Sequence, residues 1–154
     1  MPGENRYISM QEIQLFMLDR FPEDNFLLDD REFGDEQFAM AMRLTIDRYN
    51  STTPIGVDTQ SVETFPWRLE YTLGVASVLL RMRALNMMRN NLSWNTGGGI
   101  AVDDKSSYKD YIQMSKSLQD EFDDRVKKIK QTINIEGGYG ALGSEYQFTA
   151  YGTR

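Results

Sequence analysis

Apolar residues in this 154-residue chain recur mostly at intervals of three and four, the spacing of helix faces turned to a core. Ser9-Met10-Gln11-Glu12 has the form of a capping box: the serine oxygen accepts from the Glu12 N–H and the Glu12 carboxylate reaches back. Ile13, Phe16, Met17 and Arg20 follow at helical spacing, and Pro22 ends this short first helix. Gly34 then Asp35-Glu36 opens a second, with acids suited to the positive end of its dipole. Phe38, Met42, Thr45, Ile46 and Tyr49 share its apolar face, and the run 50–54 closes it at Pro54. Residues 51–65 are a polar connection in which Val57, Val62 and Phe65 alternate loosely enough to admit a short strand.

Thr64-Phe65-Pro66-Trp67 predicts the start of a long third helix, with proline near the first helical position. Leu69, Leu73, Ala76, Leu80 and Met87 form one face, broadened by Val75, Val78, Leu79, Met82, Leu85 and Met88. The pattern runs to about Asn91, ~39 Å at helical rise, and its breadth requires neighbours on more than one side. Gly97-Gly98-Gly99 marks a loop, after which Asp103 or Asp104 caps a fourth helix. Tyr108, Tyr111, Ile112, Ser115, Leu118, Phe122, Val126, Ile129 and Ile133 follow its 3.6-residue period, and Gly137-Gly138 reads as its C-terminal stop. The expectation is an all-α bundle dominated by a long antiparallel helix hairpin, with Leu73, Leu80, Ile112, Phe122, Val126 and Ile129 in the hairpin core. Residues 1–136 form the helical domain and 137–154 an extended C-terminal tail, in which Glu145-Tyr146-Gln147-Phe148-Thr149 alternates like a strand.

Composition removes much chemistry. There is no histidine and no cysteine, so a Cys/His zinc site, a Cys–His or Ser–His dyad and a disulfide are all excluded. Net charge is −6, which argues against general affinity for nucleic acid or an anionic membrane. The charge is uneven: residues 1–50 carry 11 acids and 5 bases, 51–102 carry 3 and 4, and 103–154 carry 9 and 8. Met1 to Asn5 is polar, so no signal peptide is expected, and no apolar run approaches the ~20 residues of a membrane span.

The remaining candidates have structural explanations. Asp103-Asp104-Lys105-Ser106 after the triple glycine fails as a phosphate loop, because aspartate precedes the lysine. Asp29, Arg31, Phe33 and Gly34 place a base and a phenylalanine in the ligand positions of a calcium loop. Eight acids between 19 and 36, against Arg20 and Arg31, read as a solvated surface, with Phe26, Leu27 and Leu28 pinning the stretch to the core. Asp120, Glu121, Asp123 and Asp124 are expected to pair with Lys116, Lys127 and Lys128, and Lys127, Lys128 and Lys130 to complement a C-terminal dipole. No catalytic residue, cofactor or metal is expected.

One set of segments resembles a known family. Asn91-Leu92-Ser93-Trp94-Asn95, Gly97-Gly98-Gly99-Ile100-Ala101-Val102, Lys105, Tyr108, Phe122, Val126, Lys130, Tyr139-Gly140 and Gly143-Ser144-Glu145-Tyr146 together resemble the helical head-to-tail adaptor (connector) proteins of tailed bacteriophages, over about residues 66–148. The resemblance implies a non-enzymatic chain assembled in the host bacterial cytoplasm into a ring, usually of twelve copies, at the head–tail junction of the virion. Its partners would be copies of itself, the portal protein above and a neck or tail protein below, with DNA passing nearby and no membrane. Under it, Tyr139, Leu142, Tyr146, Phe148 and Tyr151 would form a clasp for a neighbour, and the loop of Trp94, Gly97, Gly98, Gly99 and Ile100 would face a partner or the channel. A tail-completion or baseplate protein is an alternative, as is a small cytoplasmic binding or regulatory module whose acidic front mimics DNA.

Overall fold

The computed structural model describes residues 8–21, 23, 31–89 and 107–150, with the side chains of its last helix described over 108–138. It is all-helical: α1 (Met10–Phe16), α2 (Asp35–Ser51), α3 (Arg68–Arg89) and α4 (Ser107–Ala150). Among the described residues there is no strand, so the short strand that 51–65 would admit does not form. That connection turns instead, with Gly56 at φ +83° and Asp58 at φ +52°. These left-handed positions suit glycine and are tolerated by aspartate.

α3 lies at the centre, with α2 and α4 packed along its two flanks and α1 against it. The predicted antiparallel hairpin is present. Ser115 Oγ donates to Ser77 O at 2.7 Å, Phe122 stands over Gly74, and Arg125 lies 3.8 Å from Glu70, so α4 descends as α3 climbs. α2 is also antiparallel to α3, since Thr45 meets Gly74 while Gln37 lies near Leu85. At Gly74 the three helices come together, and any side chain there would collide with Thr45 Cγ2 and come within 3.0 Å of the Phe122 ring.

The core joins the apolar faces read from the pattern. Phe38, Met42, Thr45, Ile46 and Tyr49 of α2 are all buried, as are Leu73, Val75, Ala76 and Leu79 of α3 and Phe122 and Val126 of α4. Leu80 and Ile129 are half-buried. Ile112 is a correction: it is 43% exposed. It lies on the rim of α4 near Gln119, because Ser115, not Ile112, faces α3 at the closest approach. Small residues on both helices (Gly74, Ser77, Ser115) bring the backbones too close for a large side chain at that level.

The expected stop at Gly137-Gly138 and the extended tail are also corrected, since α4 continues as helix through both glycines to Ala150. A glycine ends a helix when the chain reverses and packs a following residue against the last turn. Here, among the described residues, neither Gly137 nor Gly138 has an atom within 4 Å of its would-be side chain, so no packed surface at that level favours a reversal. At helical rise, α4 is ~66 Å long and α3 ~33 Å. α4 therefore outruns its partner, and residues 134–138 are all exposed.

Candidate functional site

The connection between α2 and α3 is held by side chains from three elements. Pro54 has no N–H, so the Asn50 carbonyl loses the donor that a continuing helix would supply. Lys130 of α4 takes that place, donating from Nζ to Asn50 O at 3.3 Å and Thr52 O at 2.9 Å, with the ammonium 4.7 Å from the centre of the Tyr49 ring. The residue is fully buried. Burial pulls its ammonium below the usual lysine value, while the charge of Asp58 pulls the other way.

Tyr49 OH donates to Asp58 Oδ2 at 2.5 Å, and Gln60 Nε2 donates to Asp58 Oδ1 at 2.6 Å. Asn50 and Gln60 exchange a pair of bonds, Asn50 Nδ2 to Gln60 O at 2.9 Å and Gln60 N to Asn50 Oδ1 at 3.0 Å. The rings of Tyr49, Phe65, Trp67 and Tyr71 pack beneath, with Tyr49–Phe65 centroids 4.9 Å apart at 86°, an edge-on contact favoured by aromatic quadrupoles. Burial holds both phenols far above their ordinary value, helped at Tyr49 by the bond to Asp58 and at Tyr71 by the charge of Glu63. This constellation fixes a loop. Its lysine is engaged by carbonyls and its carboxylate by donors, which leaves no free base or nucleophile facing a cavity.

A second feature is open to solvent. Gly74, Ser77, Val78 and Arg81 of α3 floor a groove of about 260 Å³ whose walls are Leu44, Thr45 and Arg48 of α2 and Gln119 and Phe122 of α4. Arg48 spans it, meeting Asp123 with Nε at 2.7 Å and Nη2 at 2.6 Å. Arg81 Nη2 donates to Gln119 Oε1 at 2.6 Å. A separate hollow between α2 and α3 is lined by Gln37, Met82, Leu85, Asn86 and Arg89. Met40, Leu44, Leu85 and Met88 are exposed large hydrophobics of these two helices.

The opposite face carries α1. Arg83, two residues beyond Arg81 and so ~200° around the helix, lies with Nε 2.7 Å from Glu32 Oε1, an ion pair not aligned as a hydrogen bond. Burial raises the Glu32 carboxyl above its usual value against the pull of Arg83. Buried Asp19 accepts from the N–H groups of Glu32 at 2.5 Å and Phe33 at 2.8 Å, which ties the end of the first helical segment to the entry of α2.

Two expected pairings are replaced. Asp123 pairs across the groove with Arg48, and Glu121 with Arg125 at 2.9 Å, rather than with lysines. Lys130 is an interior cap for α2, not a dipole complement, because α4 does not end near it. The signal was present in the spacing, since Phe122, Val126 and Lys130 fall at i, i+4 and i+8 on one buried stripe. Of the expected clasp, Tyr139, Leu142, Tyr146 and Phe148 belong to helical α4 rather than to an extended tail. Tyr151 lies outside the described residues, as do Trp94, Gly97, Gly98, Gly99 and Ile100 of the expected partner-facing loop, and Phe26, Leu27 and Leu28.

Among the described residues, no three acidic side chains gather to hold a metal ion, and no helix is long and apolar enough to cross a membrane. Searches for related proteins find no matching family model, no matching curated protein and no matching solved structure.

Proposed function

We propose that this chain is a structural protein of a tailed-phage virion: a ring-forming head-to-tail adaptor that docks beneath the portal and joins it to the neck or tail around the DNA passage. The observation that carries the reading is α4, whose last residues, 134–150, run on past the end of the bundle. Helices in proteins gain stability chiefly from tertiary packing, so the projecting part of α4 is suited to a neighbour. The projecting part includes Tyr139, Leu142, Tyr146 and Phe148, the residues assigned above to a clasp. Large apolar side chains exposed on α2 and α3 (Met40, Leu44, Leu85, Met88) and at the end of α1 (Leu15, Phe16) suit side-by-side stacking in a closed ring. The absence of histidine and cysteine costs a scaffold nothing.

The test is stoichiometry in purified virions. Quantitative mass spectrometry should find the chain at a fixed ratio to portal protein, and electron microscopy of isolated necks should place it between portal and tail. Absence from particles refutes the adaptor and favours a cytoplasmic regulatory module. Location at the tail tip reassigns it to a baseplate. Deleting residues 137–154 should leave a helical body that folds but particles that fail to complete, and unchanged infectivity would remove the role given to α4.

A further inference from the structure

α4 changes its apolar face where it leaves the bundle. Over the packed length, Ser115, Phe122, Val126 and Lys130 are buried and fall on one stripe of the helix. Continued at helical periodicity, that stripe passes through positions 133, 137, 140 and 144. After Ile133 these positions hold Gly137, Gly140 and Ser144, none of which offers a core a large apolar side chain. A second stripe begins at Ile135, nine residues or about two and a half turns beyond Val126, and so on the opposite side of the helix. By register, positions 135, 139, 142 and 146 share it, and they hold Ile, Tyr, Leu and Tyr. Ile135 is 54% exposed. Position 148 falls back on the side of the first stripe, so Phe148 lies outside the second.

The two stripes point in opposite directions, so one continuous helix cannot set both on its own bundle. The 4-3-4 spacing of the second is that of a helix seam packed against another helix. From 135 to 146 it runs ~17 Å, about three turns. Residues 131–150 contain Glu136 and Glu145 and no lysine or arginine. By register these two acids flank the stripe, one on each side. A second copy offers the same stretch and therefore no base to meet them. The charges match a helix that carries lysine or arginine beside its apolar seam. The same acids disfavour an anionic membrane surface or a nucleic acid.

We infer that α4 docks its 135–146 stripe, on the side of the helix opposite its own core, against a helix of a different protein whose apolar seam is flanked by basic residues. The inference deepens the clasp role given to α4 and rests on the adaptor reading only for where in the particle that protein stands.

The test is fluorescence anisotropy of two labelled helical peptides titrated with the full chain to about 1 mM, a range that reaches weak complexes. Both peptides carry the same leucine seam at heptad spacing, one flanked by lysines and the other by glutamates. The lysine peptide should bind about tenfold more tightly or better, with the advantage shrinking as salt is raised. Leu142→Glu should abolish that binding, while Phe148→Glu, on the other side of the helix, should leave it as in wild type. Glu136→Lys combined with Glu145→Lys should reverse the preference between the peptides. The fully buried stretch of α4 among the described residues ends at Lys130, so every variant should keep the wild-type Tm. Equal affinity for the two peptides, binding of neither, or loss with Phe148→Glu and not with Leu142→Glu would each overturn the inference. Sedimentation showing that the full chain pairs with itself and that Leu142→Glu stops it would also overturn it, by making the partner a second copy. Selective binding of the lysine peptide by a chain absent from virions would sink the adaptor reading alone; a chain present in virions that does not distinguish the peptides would sink the inference alone.

Discussion

Lys130→Met isolates the contribution of a single buried ammonium. The replacement keeps the length and apolar stem of the side chain, so little cavity is created. It removes two hydrogen bonds, to Asn50 O and Thr52 O, and the contact with the Tyr49 ring. Each part-buried carbonyl left without its donor costs ~1–3 kcal/mol, and the lost cation–ring contact ~0.5–2 kcal/mol. Against this, the variant no longer buries a charge, a real gain because burial outweighs the favourable interactions and pulls the Lys130 ammonium below its usual value. The carbonyl penalties should prevail because Pro54 gives Asn50 O no alternative donor. A net loss of about 2–4 kcal/mol is expected, measured by urea unfolding followed at 222 nm with the slope unchanged. The loss should fall mainly on the 51–65 connection, seen as faster amide exchange at Gln60, whose N–H is held by Asn50 Oδ1. A destabilisation under about 1 kcal/mol, or protection at Gln60 equal to wild type, would refute Lys130 as the cap of α2.

Other substitutions probe the same packing. Gly74→Ala gains up to ~1 kcal/mol of helix propensity but forces a methyl against Thr45, whose hydroxyl is pinned to Ala41 O at 2.8 Å. A net loss of about 1–3 kcal/mol in chemical denaturation is expected, largely relieved in the double variant with Thr45→Ser; no relief would show that the clash lies elsewhere. Phe122→Ala should cost about 3–5 kcal/mol, since the ring is 1% exposed at the three-helix crossing, and a loss below 1 kcal/mol would contradict that placement. Tyr71→Phe deletes a buried hydroxyl that has no hydrogen-bond partner among the described residues and should raise stability at pH 7 by about 1 kcal/mol. In alkali, unfolded Tyr49 and Tyr71 release protons near pH ~10 while the folded phenols keep theirs, so stability falls above that pH by up to ~1.4 kcal/mol per unit for each. Lys130 acts oppositely just below its unfolded value, where the unfolded chain binds the extra proton, so the decline should steepen only above ~pH 10.4 and become shallower in Tyr71→Phe.

Local rules were most legible where a signal carried its own partner. Both halves of the Ser9–Glu12 capping box form, with Ser9 N donating to Glu12 Oε2 at 2.7 Å. The apolar stripe of α2 is buried as its spacing required. The glycines at 137–138 misled because glycine permits a helix to end without compelling it, and the outcome turns on whether the chain has a surface to fold back on. The acids at 120–124 misled because spacing along one helix says nothing of an arginine on another; Arg48 is 75 residues from Asp123. Ile112 misled because periodicity gives the direction of a face but not the distance of closest approach, which Ser115 and Ser77 set.

The sequence alone determined the helical class, the apolar faces of α2 and α3, the antiparallel pairing of α3 with α4 and the exclusion of histidine and cysteine chemistry. Those follow from period, capping and composition, which act over a few residues. Tertiary structure alone decided that a lysine on the apolar stripe would close the end of α2, that α4 would run past its partner, and that a groove would open on the face opposite α1. Each depends on groups far apart in the chain meeting at fixed distance, where desolvation and packing, not propensity, set the free energy.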